Sequence, residues 1–318
     1  MRITGAAQVV LRPGAMSGGL VMDRDVVGSA IAHAVASAEG RDKATRAVAA
    51  IDGDDVRTYH VATTFEREAL NEPIVQGEMT RALQEARAEA ERVARDAAAN
   101  DAALRGVATV HLRDDVAGLA VDGRALASLV GFQGRYVEVR TDVSLAPLVL
   151  ASAASAALDV AKRRGTVTSG AYALGRLLAT GGLGEGAVLR LGPDVTAFAV
   201  VRASRVVATR AFGLGRDAFL GRPATLDADA RVWARCVISP LPGLEGALPE
   251  KWHFVGVPEE LVALPRALGD ALTETRGGDD VEILPLRPAG IARVFSSEPL
   301  HADDLVAVGA AVLASEAA

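Results

Sequence analysis

The sequence predicts a mixed α/β protein of more than one lobe, with an α+β module set into it. Three observations carry this. Residues 187–191, 196–201 and 205–209 read as three short strands joined by tight turns, a β-meander that makes the sheet mixed rather than purely parallel. Stretches of helical periodicity precede and follow the meander. Residues 44–145 have a different texture from their flanks, and residues 137–143 alternate apolar and polar as a strand with one buried face does.

From the N-terminus, residues 8–11 predict a short strand, and Gly14, Gly18 and Gly19 a loop. Asp23 opens a helix over 24–38, whose Val27, Ala30, Ile31, Ala34 and Val35 recur at helical spacing, and Gly40 stops it. Residues 48–51 predict a strand and 56–64 an extended, irregular segment. Thr80 is the expected N-cap of a helix that aligns Leu83, Ala86, Ala90, Val93 and Ala97 on one face. Its other face pairs opposite charges four apart, Arg81 with Glu85 and Glu91 with Arg95. A strand over 107–112 and a turn at Asp122-Gly123 complete the module. Helices follow over 147–164 and 171–178. After the meander, residues 216–250 are proline-rich and weakly patterned. A strand over 252–257, a helix from Pro258 to Thr273, a strand over 281–284 and an apolar helix over 303–314 close the chain.

Half of the 318 residues are hydrophobic, enough for a substantial core, but only 4% are aromatic, so that core is built from Ala, Val and Leu. The net charge of -6 argues against a nucleic-acid partner. A single cysteine, Cys236, excludes an internal disulfide and fits a reducing cytoplasm. No signal peptide and no membrane-length apolar run is apparent.

Catalytic patterns are missing too. Gly182-Leu183-Gly184-Glu185-Gly186 precedes a strand, whereas a phosphate cradle needs glycines after a strand and before a helix. His33, His60, His111, His253 and His301 are scattered without metal-ligand spacing; His253, inside an apolar strand, reads as a hydrogen-bonded core imidazole. Ser152 and Ser155 lie in an apolar helix and not on a strained elbow. Asp114-Asp115 reads as a pair of solvated turn residues. No catalytic residue and no metal ligand is assigned.

The informative stretch is 187–217: Ala-Val-Leu-Arg-Leu-Gly-Pro-Asp-Val-Thr-Ala-Phe-Ala-Val-Val, and later Phe-Gly-Leu-Gly-Arg-Asp. It resembles the second phosphate-binding hairpin of the actin-like ATPases in the form found in the FtsA/PilM branch, closest to the cell-division protein FtsA. On that resemblance the degenerate nucleotide-binding positions are Gly192, Thr196, Gly215 and, after the strand at 252–257, Gly256, with Asp217 completing the bend. The departures matter. The strand-ending aspartate of the family is Arg190, its remaining turn glycines are Pro193 and Asp194, and the aspartate after its threonines is Ala197. Proline has no N–H for a phosphate, and Asp194 sets a negative charge against one.

The resemblance extends upstream. Gly18-Gly19-Leu20-Val21-Met22-Asp23 with its helix resembles the family's entry into its inserted SHS2 subdomain. Thr80 and its helix, His111, Asp122-Gly123 and the turn from Gly131 to Gly134 follow in that subdomain's order.

What the resemblance implies is an actin-like, duplicated ribonuclease H-like fold with an SHS2-like insertion and a reduced fourth subdomain. Residues 1–43 and 146–180 would form lobe I, 44–145 the insertion, 181–289 lobe II with 216–250 as its reduced part, and 290–318 the closing helix region. The family's first phosphate strand is expected before residue 8, and no counterpart of FtsA's C-terminal membrane helix is seen. ATP and magnesium are implied by the family alone. The function expected is a cytoplasmic scaffold without ATPase activity. Its partners would be FtsZ-like or other division proteins, with possible self-association and recruitment to the inner membrane face by a partner. Two alternatives stay open: a PilM-like protein of the type IV pilus platform, and an active ATP-binding protein whose start is set too late. Without the resemblance, the residues define only a mixed α/β protein.

Overall fold

The computed structural model describes residues 2–39, 43–44, 46–241, 248–292, 294–296 and 299–316. The strands in chain order are β1 Arg2–Ile3, β2 Met16–Ser17, β3 Leu20–Val21, β4 Ala47–Ile51, β5 Arg57–Glu66, β6 Thr109–Val121, β7 Arg124–Leu126, β8 Tyr136–Pro147, β9 Gly165–Ser169, β10 Gly186–Leu191, β11 Thr196–Arg202, β12 Arg205–Phe212, β13 Lys251–Val255, β14 Glu282–Pro285 and β15 Phe295–Ser296. The helices are α1 Arg24–Glu39, α2 Gln76–Asn100, α3 Leu148–Val160, α4 Gly170–Thr180, α5 Leu226–Ile238, α6 Ala263–Thr275 and α7 Leu305–Glu316. The chain forms two compact units, Met1–Val56 with Val149–Ala318, and Arg57–Leu148.

The first unit is built on a five-stranded sheet of order β12-β11-β10-β13-β14. β10 pairs antiparallel with β11 and parallel with β13, so the sheet is mixed. Side chains alternate along β10. Leu189 and Leu191 join Phe198, Trp233, Trp252, Leu264 and Leu268 on the side of α5 and α6. Val188 joins Val201, Leu174, Leu177, Leu305 and Leu313 on the side of α4 and α7. The result is a helix–sheet–helix sandwich buried on both faces. A Cβ on Gly309 would sit 2.3 Å from the Ala173 carbonyl oxygen, so a glycine in α7 is what lets the two helices touch backbone to backbone. β4 and β9 form a separate parallel pair, and Val48 and Ala50 of β4 pack on the α4–α7 side of the core.

The second unit is an antiparallel sheet of order β5-β8-β6-β7 with α2 across one face. Ala86, Ala90, Ala94 and Ala98 of α2 are all buried against it, four residues apart. The two ends of this helix are tied to the two ends of β5. Asp101, just past α2, takes a 2.8 Å bond from Arg57 Nε. Glu78 in the first turn pairs with Arg67, just past β5. Arg67 also donates to the carbonyl oxygens of Gly134 at 3.0 Å and Glu72 at 3.1 Å. The β6–β7 turn has positive φ at both Asp122 (47°) and Gly123 (77°), as a two-residue hairpin requires.

Several expectations are corrected. Residues 8–11 form no strand; the pairing nearby is β2 with β3. Residues 57–66 form a regular ten-residue strand rather than an irregular segment. Thr80 does not cap α2, which starts at Gln76 with Val75 at the cap; the Thr80 hydroxyl instead donates back to the Gln76 carbonyl oxygen at 2.9 Å. Pro147 ends β8 rather than opening a helix. Residues 216–250, read as proline-rich and weakly patterned, contain α5 with Trp233 fully buried. Asp114 and Asp115 sit within β6 and not in a loop, paired at 2.8 Å with Arg87 and at 2.6 Å with Arg113. Asp23 does cap α1, accepting from Val26 N at 3.1 Å. Gly40 lies outside the described residues.

Candidate functional site

Parallel strands β10 and β13 end side by side, at Leu191 and Val255. In an α/β sheet the crevice past such strand ends is where a ligand would sit. Gly192, Thr196, Gly215 and Gly256 all come to this end of the sheet.

β10 leads into the turn Gly192-Pro193-Asp194, which closes by the Gly192 N–H donating to the Val195 carbonyl oxygen at 2.9 Å. The bend after β12 folds onto that turn. Arg216 N donates to Gly192 O at 2.8 Å and Asp217 N to Pro193 O at 3.0 Å. Gly215 makes this contact possible: a Cβ there would lie 2.2 Å from Pro193 O and 2.5 Å from Gly192 O. Thr196 begins β11 and is fully buried. Its hydroxyl donates to Leu214 O at 2.6 Å and accepts from the indole N–H of Trp233 at 2.9 Å. Gly256 has φ +75°, and a Cβ on it would meet Leu191 O at 2.9 Å and Asp303 Oδ1 at 3.0 Å.

Two cations here pair within the chain. Arg190, on the α4 side of β10, has Nη1 3.7 Å from Asp52 Oδ2. Asp52 follows β4, and its Oδ1 accepts from Ala171 N, in the first turn of α4, at 2.8 Å. Burial pushes the Asp52 carboxyl above the usual carboxylate range, against the opposing pull of Arg190 and the Ala171 amide. Arg216 Nη1 lies 3.1 Å from Asp303 Oδ2. Burial, and then the neighbouring Asp217 carboxylate, raise Asp194.

These positions do not fit a magnesium–triphosphate group. A phosphate cradle needs free N–H donors, and the amides of Gly192, Arg216 and Asp217 are bonded to carbonyl oxygens of the same turns. Pro193 has none to give. The Thr196 hydroxyl is in the core, and a guanidinium, which cannot ligate a metal, stands at position 190. Among the described residues no group of three or more His, Cys, Asp or Glu could hold a metal ion. His253 is buried in β13, but its Nε2 has no hydrogen-bond partner among the described residues, contrary to the bonded imidazole expected. Burial, followed by the nearby Lys251 ammonium, pushes its pKa below the ordinary value, against the opposing pull of Glu282.

Sequence reasoning named these four positions as degenerate, and the structure brings them to one end of the sheet. It missed Asp52, Trp233 and Asp303. An Asp-Gly pair straight after the β4 strand was the available signal for Asp52.

No family model matches the sequence, and no curated protein matches it. Solved structures do. A chain of the PilM–PilN type IV pilus biogenesis complex is 21% identical over 95% of this chain and 88% of that one, with a TM-score of 0.52. The cytoplasmic domain of EpsL, an inner membrane component of the type II secretion system of Vibrio cholerae, is 11% identical over 98% and 93%, at 0.33. The inorganic polyphosphate/ATP-glucomannokinase from Arthrobacter sp. strain KM is 12% identical over 93% and 84%, at 0.38. At such identities a likeness speaks to fold alone. The chain is a mixed α/β protein with the actin-like fold.

Proposed function

We propose that this protein is an actin-like scaffold that works through protein–protein contacts and does not turn over ATP. The observation that carries the reading is the closure of the β10–β11 turn onto the 213–217 bend, which commits to internal hydrogen bonds the amides a phosphate would need. The fold likeness to the PilM–PilN complex, spanning nearly the whole chain, favours a platform role of the pilus type, with a protein of that platform as partner. The second reading is an FtsA-like division scaffold acting with an FtsZ-like protein. It is supported by the spacing of Gly192, Thr196, Gly215 and Asp217. In either role the protein works in the cytoplasm, at the inner face of the membrane. Among the described residues, no helix is long and apolar enough to cross one.

The test is a titration with Mg-ATP that follows the thermal midpoint, paired with a hydrolysis assay. A ligand held only by the folded state raises stability by about 2.7 kcal/mol at a hundredfold excess over its Kd. No shift up to millimolar ATP, with no turnover above background, is the expected result; a saturable shift with Mg-dependent turnover overturns it. Crosslinking in the native cells separates the two scaffold readings by whether platform or division proteins are captured.

A further inference from the structure

One end of the first unit gathers cations from three segments around a single carboxylate. Glu39, at the end of α1, pairs through both carboxylate oxygens with Arg163 and accepts from Ala44 N at 3.1 Å, which draws Lys43 and Arg163 to the same point. The β4–β9 pairing supplies the rest: Ala47 N donates to Arg164 O at 2.9 Å, setting Arg46 and Arg164 side by side where the two strands begin. Lys162, at φ 56°, turns the chain between α3 and β9. Lys43, Arg46, Lys162 and Arg164 are all exposed, and none is in an ion pair among the described residues. Beside them is an open depression of about 430 Å³ lined by Ser155, Asp159, Lys162, Arg163 and Arg164. Val160, next in sequence to the lining residue Asp159, is 54% exposed. In a chain of net charge -6 such a concentration of unpaired cations is a local inversion of sign.

We infer that this end of the protein docks on an anionic phospholipid surface. Lys43, Arg46, Lys162 and Arg164 are exposed and come from both sides of the β4–β9 pair, so several can meet a phosphate-bearing surface at once. Glu39, already held by Arg163, and Asp159 are the carboxylates among these residues; charges farther off than the screening length of roughly 10 Å at 0.1 M salt weigh little on the attraction. The inference does not depend on the scaffold reading, since it concerns a different face from the crevice beyond β10 and β13.

The test is sedimentation of the full chain with vesicles of 30% phosphatidylglycerol in phosphatidylcholine, against vesicles of phosphatidylcholine alone. Binding is expected to the anionic vesicles only, and to fall as salt rises. Each cation near such a surface contributes on the order of a fivefold gain in partitioning, so Arg46→Glu, Lys162→Glu and Arg164→Glu together should weaken it by roughly a hundredfold or more. The pair Arg231→Glu and Arg235→Glu, on the exposed side of α5, should leave it unchanged. If the triple variant loses its native melting profile, the corresponding alanine triple is read instead. Equal sedimentation with both vesicle types, equal loss in the α5 pair, or binding to soluble polyglutamate without binding to anionic vesicles overturns the inference; the last of these would assign the patch to an acidic protein segment.

Discussion

The indole N–H of Trp233 donates to the Thr196 hydroxyl at 2.9 Å inside the core of the first unit. That bond makes a threonine at the mouth of a strand crevice into a structural residue. Thr196→Val keeps the shape but strands the Trp233 N–H and the Leu214 carbonyl, and should destabilise the fold by about 1–3 kcal/mol. Trp233→Phe should couple to it in a double-mutant cycle by roughly 0.5–3 kcal/mol, read from chemical denaturation. Zero coupling would show that the bond contributes nothing.

Asp52 should leave a signature in the pH dependence of stability. Its folded pKa is raised, so the folded state holds a proton that the unfolded chain, with a pKa near about 3.9, has already released. The associated stability is fully present below that unfolded value and is lost as pH rises through the raised folded value. Asp52→Asn should flatten this part of the profile of melting temperature against pH. Arg190→Met should steepen it by removing the nearby cation, and an unchanged slope in both variants would refute the assignment.

Gly215 is predicted to be intolerant of any side chain. The obstacle is backbone on the facing turn, which a rotamer change cannot clear. Gly215→Ala should destabilise by roughly 1–3 kcal/mol, the usual range for overpacking, whereas Gly221→Ala, which meets nothing within 4 Å, carries only the strain of its φ of +77°. Equal effects of the two changes would disprove the zippered turn.

In the second unit, Arg67→Ala should leave Glu78 and the carbonyls of Gly134 and Glu72 without their donor. With Glu78 partly exposed, a loss of about 1–3 kcal/mol is expected. The Arg67 guanidinium holds Glu78 below its ordinary range, so this pairing stabilises above about pH 4.3 and is lost as pH falls through the lowered folded value. The variant should therefore lose part of the acid limb of the wild-type unfolding profile.

Much of the architecture could be read before the fold was seen, because the β10–β12 meander and the α2 face are written in local patterns of period two and near four. α5 was hidden although Leu226, Ala230, Trp233, Ala234 and Val237 carry a helical pattern, since Pro223, Pro240 and Pro242 flank it and suggest a loop. The extra turn of α2 before Thr80 was hidden by a hydroxyl that bonds backward as readily as forward. For Asp52 the local signal, the Asp-Gly pair after β4, marks a turn and not a partner. Its importance lies in partners such as Ala171, 119 residues away, and no local pattern encodes such a meeting. The fate of the four crevice positions was equally non-local: glycine and threonine spacing was legible, but not that the donors beside them would face carbonyls of their own chain.

The alanine face of α2 has a consequence for how that helix finds its place. Side chains as small and alike as Ala86, Ala90, Ala94 and Ala98 present nearly the same profile after a slide of one turn, so the packed surface alone is a smooth rail with several equivalent stops. What distinguishes the stops is the pair of tethers at the rail's ends, Arg67 with Glu78 and Arg57 with Asp101. A displacement of about 5.4 Å would keep the apolar contact and break both tethers at once. In this unit the hydrophobic contact supplies adhesion, and two ion pairs at opposite ends supply the position.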